Sequence, residues 1–307
     1  MAGPDSLPPE LMAVLRRELG PAEAGVTVLT GGVTNRNLKM DFGGSTYVVR
    51  LCGKETSALG IDRDAEVAAT RAAHGLGIGP AVVLYLPALE CVVTGFVPGR
   101  AAEVGELARR SGALEWAARG LRAFHGGAPL PARFDAFALG ADYCEQARAR
   151  GATVPDAYAE ATAVAQRIQA ALRNAEHDPV PCHNDLLSSN FLLGEDETIT
   201  IVDWEYAGMG DRYFDLGNLA VNNDLDDAGA ERLLAAYWDE PPSARRRAAL
   251  ALMRIVSDYR EATWGVIQGV LSELDFDYGA YADKHLKRLL DQASDARLER
   301  WLDAAAA

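Results

Sequence analysis

Residues 183–190 read HNDLLSSN, and residues 201–208 read IVDWEYAG. Asp185 and Asn190 stand five positions apart, and Asp203 follows Asn190 by thirteen. Between them lie the apolar triplet FLL at 191–193, a polar turn at 194–197 and TITIV at 198–202. Two short apolar runs around a Gly-containing turn predict a β-hairpin, and a hairpin folds Asp203 back beside Asn190. Phosphoryl transfer asks for such a set. One carboxylate orients an attacking hydroxyl and takes its proton, a role that suits Asp185 and places it against the acceptor. A second carboxylate and an amide oxygen, from Asp203 and Asn190, are the hard oxygen ligands that Mg²⁺ prefers beside phosphates. A lone Asn or Asp also caps hairpin turns; the order and spacing of all three favour the chemistry. His183 has no nucleophile beside it to activate, so it is read as a support that holds the loop through a hydrogen bond.

Upstream, the pattern changes. A helix over 8–19 is closed by Gly20-Pro21, and strand-like runs follow at 26–30, 35–42 and 45–51. Gly31-Gly32 and Gly43-Gly44 separate them, which predicts tight turns in an antiparallel sheet. A helix over about 62–75 and two more strand-like runs, 81–86 and 91–97, complete this part. Pro98-Gly99 breaks the pattern, and from about 100 onward the Ala-rich stretches 112–123, 157–175 and 244–253 have helical periodicity. The expectation is an α+β chain of two lobes: a small antiparallel β-sheet lobe over 1–97 that binds nucleotide, and a larger, mainly helical lobe over 98–307 that carries the catalytic and acceptor residues. Clefts between lobes are common ligand sites.

In the small lobe, LTGGVTNRN at 29–37 lies between two strands. Gly31 and Gly32 would let backbone N–H groups approach ATP phosphates, with Thr34 and Asn35 adding side-chain contacts; a Gly-Gly hairpin turn is also common without a ligand. A cation on the third strand should hold the α/β-phosphates and pair with a helix glutamate. Arg50 in YVVRL and Glu66 in RDAEVAATRAAHG fill those places, and Arg forks onto phosphate or carboxylate oxygens. Residues 94–97, including Thr94 and Phe96, form the expected hinge against adenine.

The chain has 307 residues with a formal charge of −14. Such acidity argues against a nucleic-acid partner and favours a cationic substrate, although it also serves solubility alone; joined to the phosphoryl-transfer set, it gives a small cationic substrate bearing a hydroxyl as the expected partner. Cys52, Cys91, Cys144 and Cys182 have no metal-type or redox-type spacing, which fits a reduced, cytoplasmic setting. No apolar run is long enough for a membrane span, and the first residues do not read as a signal peptide.

The segments HNDLLSSN, IVDWEYAGMGDRYFDLGN at 201–218, YVVRLCG at 47–53 and WGVIQGVLSELDFDYGAYADKH at 264–285 resemble choline and ethanolamine kinases. They are similar, more widely, to aminoglycoside phosphotransferases, a group with a protein-kinase-like fold. The resemblance implies Asp185 as catalytic base, Asn190 and Asp203 as Mg²⁺ ligands, and Arg50 in place of the usual lysine. It implies that Asp215, in FDLGN, stabilises the catalytic loop. It also implies an aromatic cage for an ammonium group from Trp264, Phe276 and Tyr281, with Tyr206 adjoining. The same aromatics would serve as plain core packing on long helices. Two places depart from the family: Ile267 stands where a second tryptophan is usual, and Asn222 where a pocket glutamate is usual. Glu273, Asp224 and Asp226 are acidic residues that would compensate.

The expected activity is ATP- and Mg²⁺-dependent phosphorylation of a small amino alcohol. The alternatives are an antibiotic O-phosphotransferase of the aminoglycoside or macrolide type, or a nucleotide-binding pseudokinase. The presence of Asp185, Asn190 and Asp203 together weighs against the last.

Overall fold

The computed structural model describes residues 7–29, 35–53, 56–173, 178–272 and 274–307. In chain order the first elements are α1 (Pro9–Leu19), β1 (Ala22–Leu29), β2 (Arg36–Phe42), β3 (Ser45–Leu51), α2 (Arg63–Gly75), β4 (Val82–Leu86) and β5 (Cys91–Gly95). The five strands form one antiparallel sheet in the order β1-β2-β3-β5-β4. The β2–β3 hairpin is closed by Gly43-Gly44, with Phe42 opposite Ser45. Both glycines have positive φ, 56° and 80°, as this two-residue turn requires. A Cβ on Gly43 would also lie 2.5 Å from the Leu19 carbonyl oxygen, so the turn and the end of α1 need the same glycine. Leu11 and Leu15 of α1 cover the sheet face that carries Leu38, Met40, Phe42, Val49 and Val93, and these residues make the small core.

The rest is mainly helical: β6 (Arg100–Ala101), α3 (Glu106–Arg109), α4 (Ala113–His125), α5 (Ala136–Ala149), α6 (Ala157–Leu172), β7 (Val180–Cys182), β8 (Phe191–Leu193), β9 (Ile199–Ile201), β10 (Gly208–Gly210), α7 (Arg212–Asn222), α8 (Asp227–Trp238), α9 (Ala244–Leu271), α10 (Tyr278–Ala293) and α11 (Leu298–Ala306). The stretch expected to be helical over 244–253 runs on to Leu271, because apolar residues continue on all sides: nearly every side chain from Ala248 to Gln268 is buried. No described helix is long and apolar enough to cross a membrane.

The expected hairpin is formed. β8 and β9 pair antiparallel with Phe191 opposite Ile201, and Val202 N–H donates to the Asn190 carbonyl at 2.9 Å. One element crosses between the lobes. Ala69 and Ala73 of α2, with Leu59, Ile61 and Ile78 beside it, precede residue 97 yet belong to the large core. Tyr143 O–H donates to the Leu59 carbonyl (2.6 Å), and Ile201 N–H donates to the Ile78 carbonyl (2.7 Å).

Candidate active site

The loop 183–190 is held from beneath by α7. Asp211 caps this helix by accepting from Tyr213 N–H, and the fully buried Asp215 faces back at the loop. Its carboxylate accepts the backbone N–H groups of His183 (2.8 Å) and Asn184 (2.6 Å) and lies 3.0 Å from His125 Nε2. One turn on, the Asn218 amide oxygen accepts from Leu186 N–H. The His183 ring bridges the loop to the hairpin: Nε2 lies 3.0 Å from the Val202 carbonyl, and Nδ1 accepts from Asp185 N–H at 3.2 Å. Both contacts suit one neutral tautomer, and burial keeps the pKa of His183 down.

Asp185 is 8% exposed and lines a cavity of about 170 Å³ together with Asn190, Asp203, Glu205, Tyr206, Arg260, Glu261, Trp264, Phe276 and Tyr281. Burial drives its carboxyl well above the usual range, and the Arg260 guanidinium at 3.3 Å opposes this. Asn190 donates its NH₂ to the Asp185 carbonyl (2.7 Å) and to Oδ2 (3.3 Å), which turns its amide oxygen the other way. Asp203, at a left-handed φ of 64°, lies 3.1 Å from Arg50 Nη1 without the alignment of a hydrogen bond. A carboxylate oxygen so placed and a free-facing amide oxygen are a donor set that fits Mg²⁺.

Arg50 and Glu66 meet as expected, Nη1 to Oε1 at 2.7 Å, while Arg50 Nε donates to Asn37 Oδ1 at 3.1 Å. Burial alone would depress the Arg50 guanidinium, but Asp203, Glu66 and Glu205 raise it above its usual value. Asn35 is a strut as much as a contact: its NH₂ donates to Glu205 (2.7 Å), and its oxygen accepts from Arg63 (2.8 Å) and Gly53 N–H (3.2 Å). Gly31, Gly32 and Thr34 lie outside the described residues, as does Glu273. In the hinge, Thr94 sits within β5 between Val48 and Val82. Phe96 N–H is committed to the Thr46 carbonyl, so this amide is not open to a base.

The aromatic residues gather as expected. Trp264 and Tyr281 meet edge to face at 5.4 Å, and Phe276 lies 5.9 Å from Tyr281. Trp264 Nε1 donates to the Tyr206 hydroxyl at 2.8 Å. Asn222 is a correction. It does not line the cavity; its amide oxygen accepts from Arg288 (3.0 Å), within a network built on the buried Asp258. That arginine ties the end of α7 to α10, donating also to the Val221 carbonyl at 3.0 Å. Asp226 is spent on capping α8 at Gly229 N–H, and Ile267 is fully buried in the core.

Sequence reasoning missed four charged residues. Glu205 is buried beside Asp203, and burial together with that neighbour pushes its pKa up to about 7. Arg63 bridges Glu66 (2.6 Å) and Glu205 (3.3 Å). On α9, Arg260 and Glu261 pair at 2.8 Å, and Tyr281 O–H donates to the other Glu261 oxygen at 2.6 Å. Burial alone would raise Glu261, but Arg260 and Tyr281 hold it below the usual carboxylate range. The signal available in the sequence was DYRE at 258–261, a charged run inside an otherwise apolar helix.

The model of the phosphotransferase enzyme family matches residues 25–251. The chain belongs to that family. Among relatives of this phosphotransferase-family chain, Protein LicA of Haemophilus influenzae is 30% identical over 109 residues, which cover 34% of the chain and 40% of LicA. The chain thus matches less than half the length of that relative. A choline/ethanolamine kinase family protein from Mesorhizobium loti has a similar structure, with a TM-score of 0.81 and 29% identity over 96% of this chain and 99% of the other. Choline kinase LicA from Streptococcus pneumoniae has the same fold, with a TM-score of 0.77 and 21% identity over 92% and 98%. The fold of this chain is therefore the protein-kinase-like one expected.

Proposed function

We propose that this chain transfers the γ-phosphate of ATP, with Mg²⁺, to the hydroxyl of a small cationic amino alcohol of the choline or ethanolamine type. The observation that carries this reading is a single small cavity lined both by Asp185 and by Trp264, Phe276 and Tyr281. Aromatic rings receive an ammonium through their faces, and a carboxylate in the same cavity meets the hydroxyl of a short acceptor. Similarity to a choline/ethanolamine kinase family protein supports the same class.

Asp185 orients the acceptor hydroxyl and takes its proton, with Asn190 and Arg260 fixing the two carboxylate oxygens. Arg50, held by Glu66 and Asn37, steadies the nucleotide phosphates. Asn190 and Asp203 would hold Mg²⁺, which would offset the phosphate charge. In this reading residues 1–97 grip the nucleotide and residues 98–307 carry the acceptor. A cytoplasmic setting accords with four free cysteines.

The test is ADP release with Mg²⁺-ATP across choline, ethanolamine, related amino alcohols and several aminoglycosides, for native protein and Asp185→Asn. Turnover on a small amino alcohol that Asp185→Asn abolishes supports the reading. Turnover on aminoglycosides alone, or undiminished turnover in Asp185→Asn, overturns it.

A further inference from the structure

The acceptor cavity holds a cation of its own. Arg260 is 1% exposed, and its guanidinium carbon lies 4.1 Å from the centre of the Tyr206 ring. Nη1 reaches Glu261 at 2.8 Å and Asp185 at 3.3 Å. An aromatic face flanked by carboxylates is the environment that receives a substrate ammonium, and a side chain of the protein already fills it. The arrangement is pinned from both sides: Trp264 holds the Tyr206 hydroxyl, and Tyr281 holds the second Glu261 oxygen. Arg260 offsets part of the negative charge that Asp185 and Glu261 bring to this end of the cavity, while Asp203 and Glu205 line the rest. What remains open to a ligand is the group of rings of Trp264, Phe276 and Tyr281.

We propose that Arg260 sets the charge of the acceptor, confining the pocket to hydroxyl compounds with one positive charge and turning away those with two or more. This rests on the amino-alcohol reading above and names the substrate class within it. A first ammonium meets the surplus negative charge. A second one, brought within about 5 Å of Arg260, meets a like charge that is buried and poorly screened. At an effective dielectric constant near 20 that repulsion lowers affinity by roughly a hundredfold. Arg260 is held in place by Glu261, Asp185 and the Tyr206 ring, and its Nε and Nη2 are buried without a hydrogen-bond partner. Polycationic acceptors such as aminoglycosides are then rejected by charge as well as by size.

Ethanolamine and 1,3-diamino-2-propanol test this, because the second repeats the amino alcohol of the first and adds an ammonium. Affinity is read by calorimetry and phosphate transfer by ADP release with Mg²⁺-ATP. The native protein should favour ethanolamine by roughly a hundredfold in affinity. Arg260→Gln should shrink that ratio about tenfold, and Arg260→Lys should restore it. If Arg260→Gln weakens both ligands equally, or the native protein binds them alike, the proposal is wrong. Should Arg260→Gln fail to fold, Glu261→Gln tests the same rule from the other side. Removing a negative charge must weaken the diamine more than ethanolamine, and equal losses refute the rule. Selective binding of ethanolamine without phosphate transfer keeps the charge rule and overturns the kinase reading. Equal transfer to both compounds keeps the kinase reading and overturns the charge rule.

Discussion

The Asp215 carboxylate clasps the main chain of Asn184, accepting its N–H at 2.6 Å. Asn184 sits at a left-handed φ of 68°, which non-glycine residues rarely adopt without support. The next residue is Asp185, so the clasp decides where that carboxylate points. Replacing Asp215 by Ala leaves two buried backbone donors unpaired, at a cost of about 1–3 kcal/mol each. The expected result is a clear drop in the unfolding midpoint, with kcat falling further than the acceptor KM rises. Thermal unfolding and steady-state kinetics on one preparation check both.

Arg50→Lys keeps the charge but loses the fork that reaches Glu66, Asn37 and Asp203 together. The KM for ATP should rise by roughly tenfold while the KM for the acceptor stays near its native value. Initial rates with each substrate varied in turn separate the two effects. A rise confined to the acceptor KM would remove Arg50 from the nucleotide site.

Asn190→Ala removes the amide oxygen offered to the metal and also the NH₂ that steadies Asp185. Activity should fall, and the Mg²⁺ concentration for half-maximal rate should move upward by about tenfold or more. A Mg²⁺ titration of rate at saturating ATP reads this. An unchanged Mg²⁺ requirement would leave Asn190 as a support for Asp185 alone.

Gly217 lies between Asp215 and Asn218, where α7 meets α9. A Cβ there would come within 2.7 Å of the Met253 main chain. Gly217→Ala must push the two helices apart, at about 1–3 kcal/mol. Because α7 carries the residues that hold the 183–190 loop, the rate should drop along with the unfolding midpoint.

The parts of this protein that were legible in its sequence are those with local causes. Gly43-Gly44 fixes a hairpin through positive φ, and the FLL and TITIV runs fix another that brings Asn190 to Asp203. Arg50 and Glu66 were legible as a pair from their places on a third strand and a following helix. Arg260 and Glu261 were not, because their partners Asp185 and Tyr281 lie 75 and 20 residues away. A charged pair on a helix is ordinarily a solvated face. Only packing on every side of α9 makes this one a buried feature. Asn222 was misplaced for the converse reason, since its partner Arg288 is 66 residues further on.

The seating of α2 in the large core has a mechanical consequence. The helix shares its apolar face with the large lobe, while the sheet of the small lobe has a core of its own. The helix is therefore tied to both lobes: Tyr85 of β4 donates to its Asp64 at 2.8 Å, while its Ala69 and Ala73 sit in the large core. Arg50 on the sheet reaches Glu66 on this helix at 2.7 Å and Asp203 of the large lobe at 3.1 Å. Its ion pairs thus bind sheet, helix and large lobe together at a single side chain.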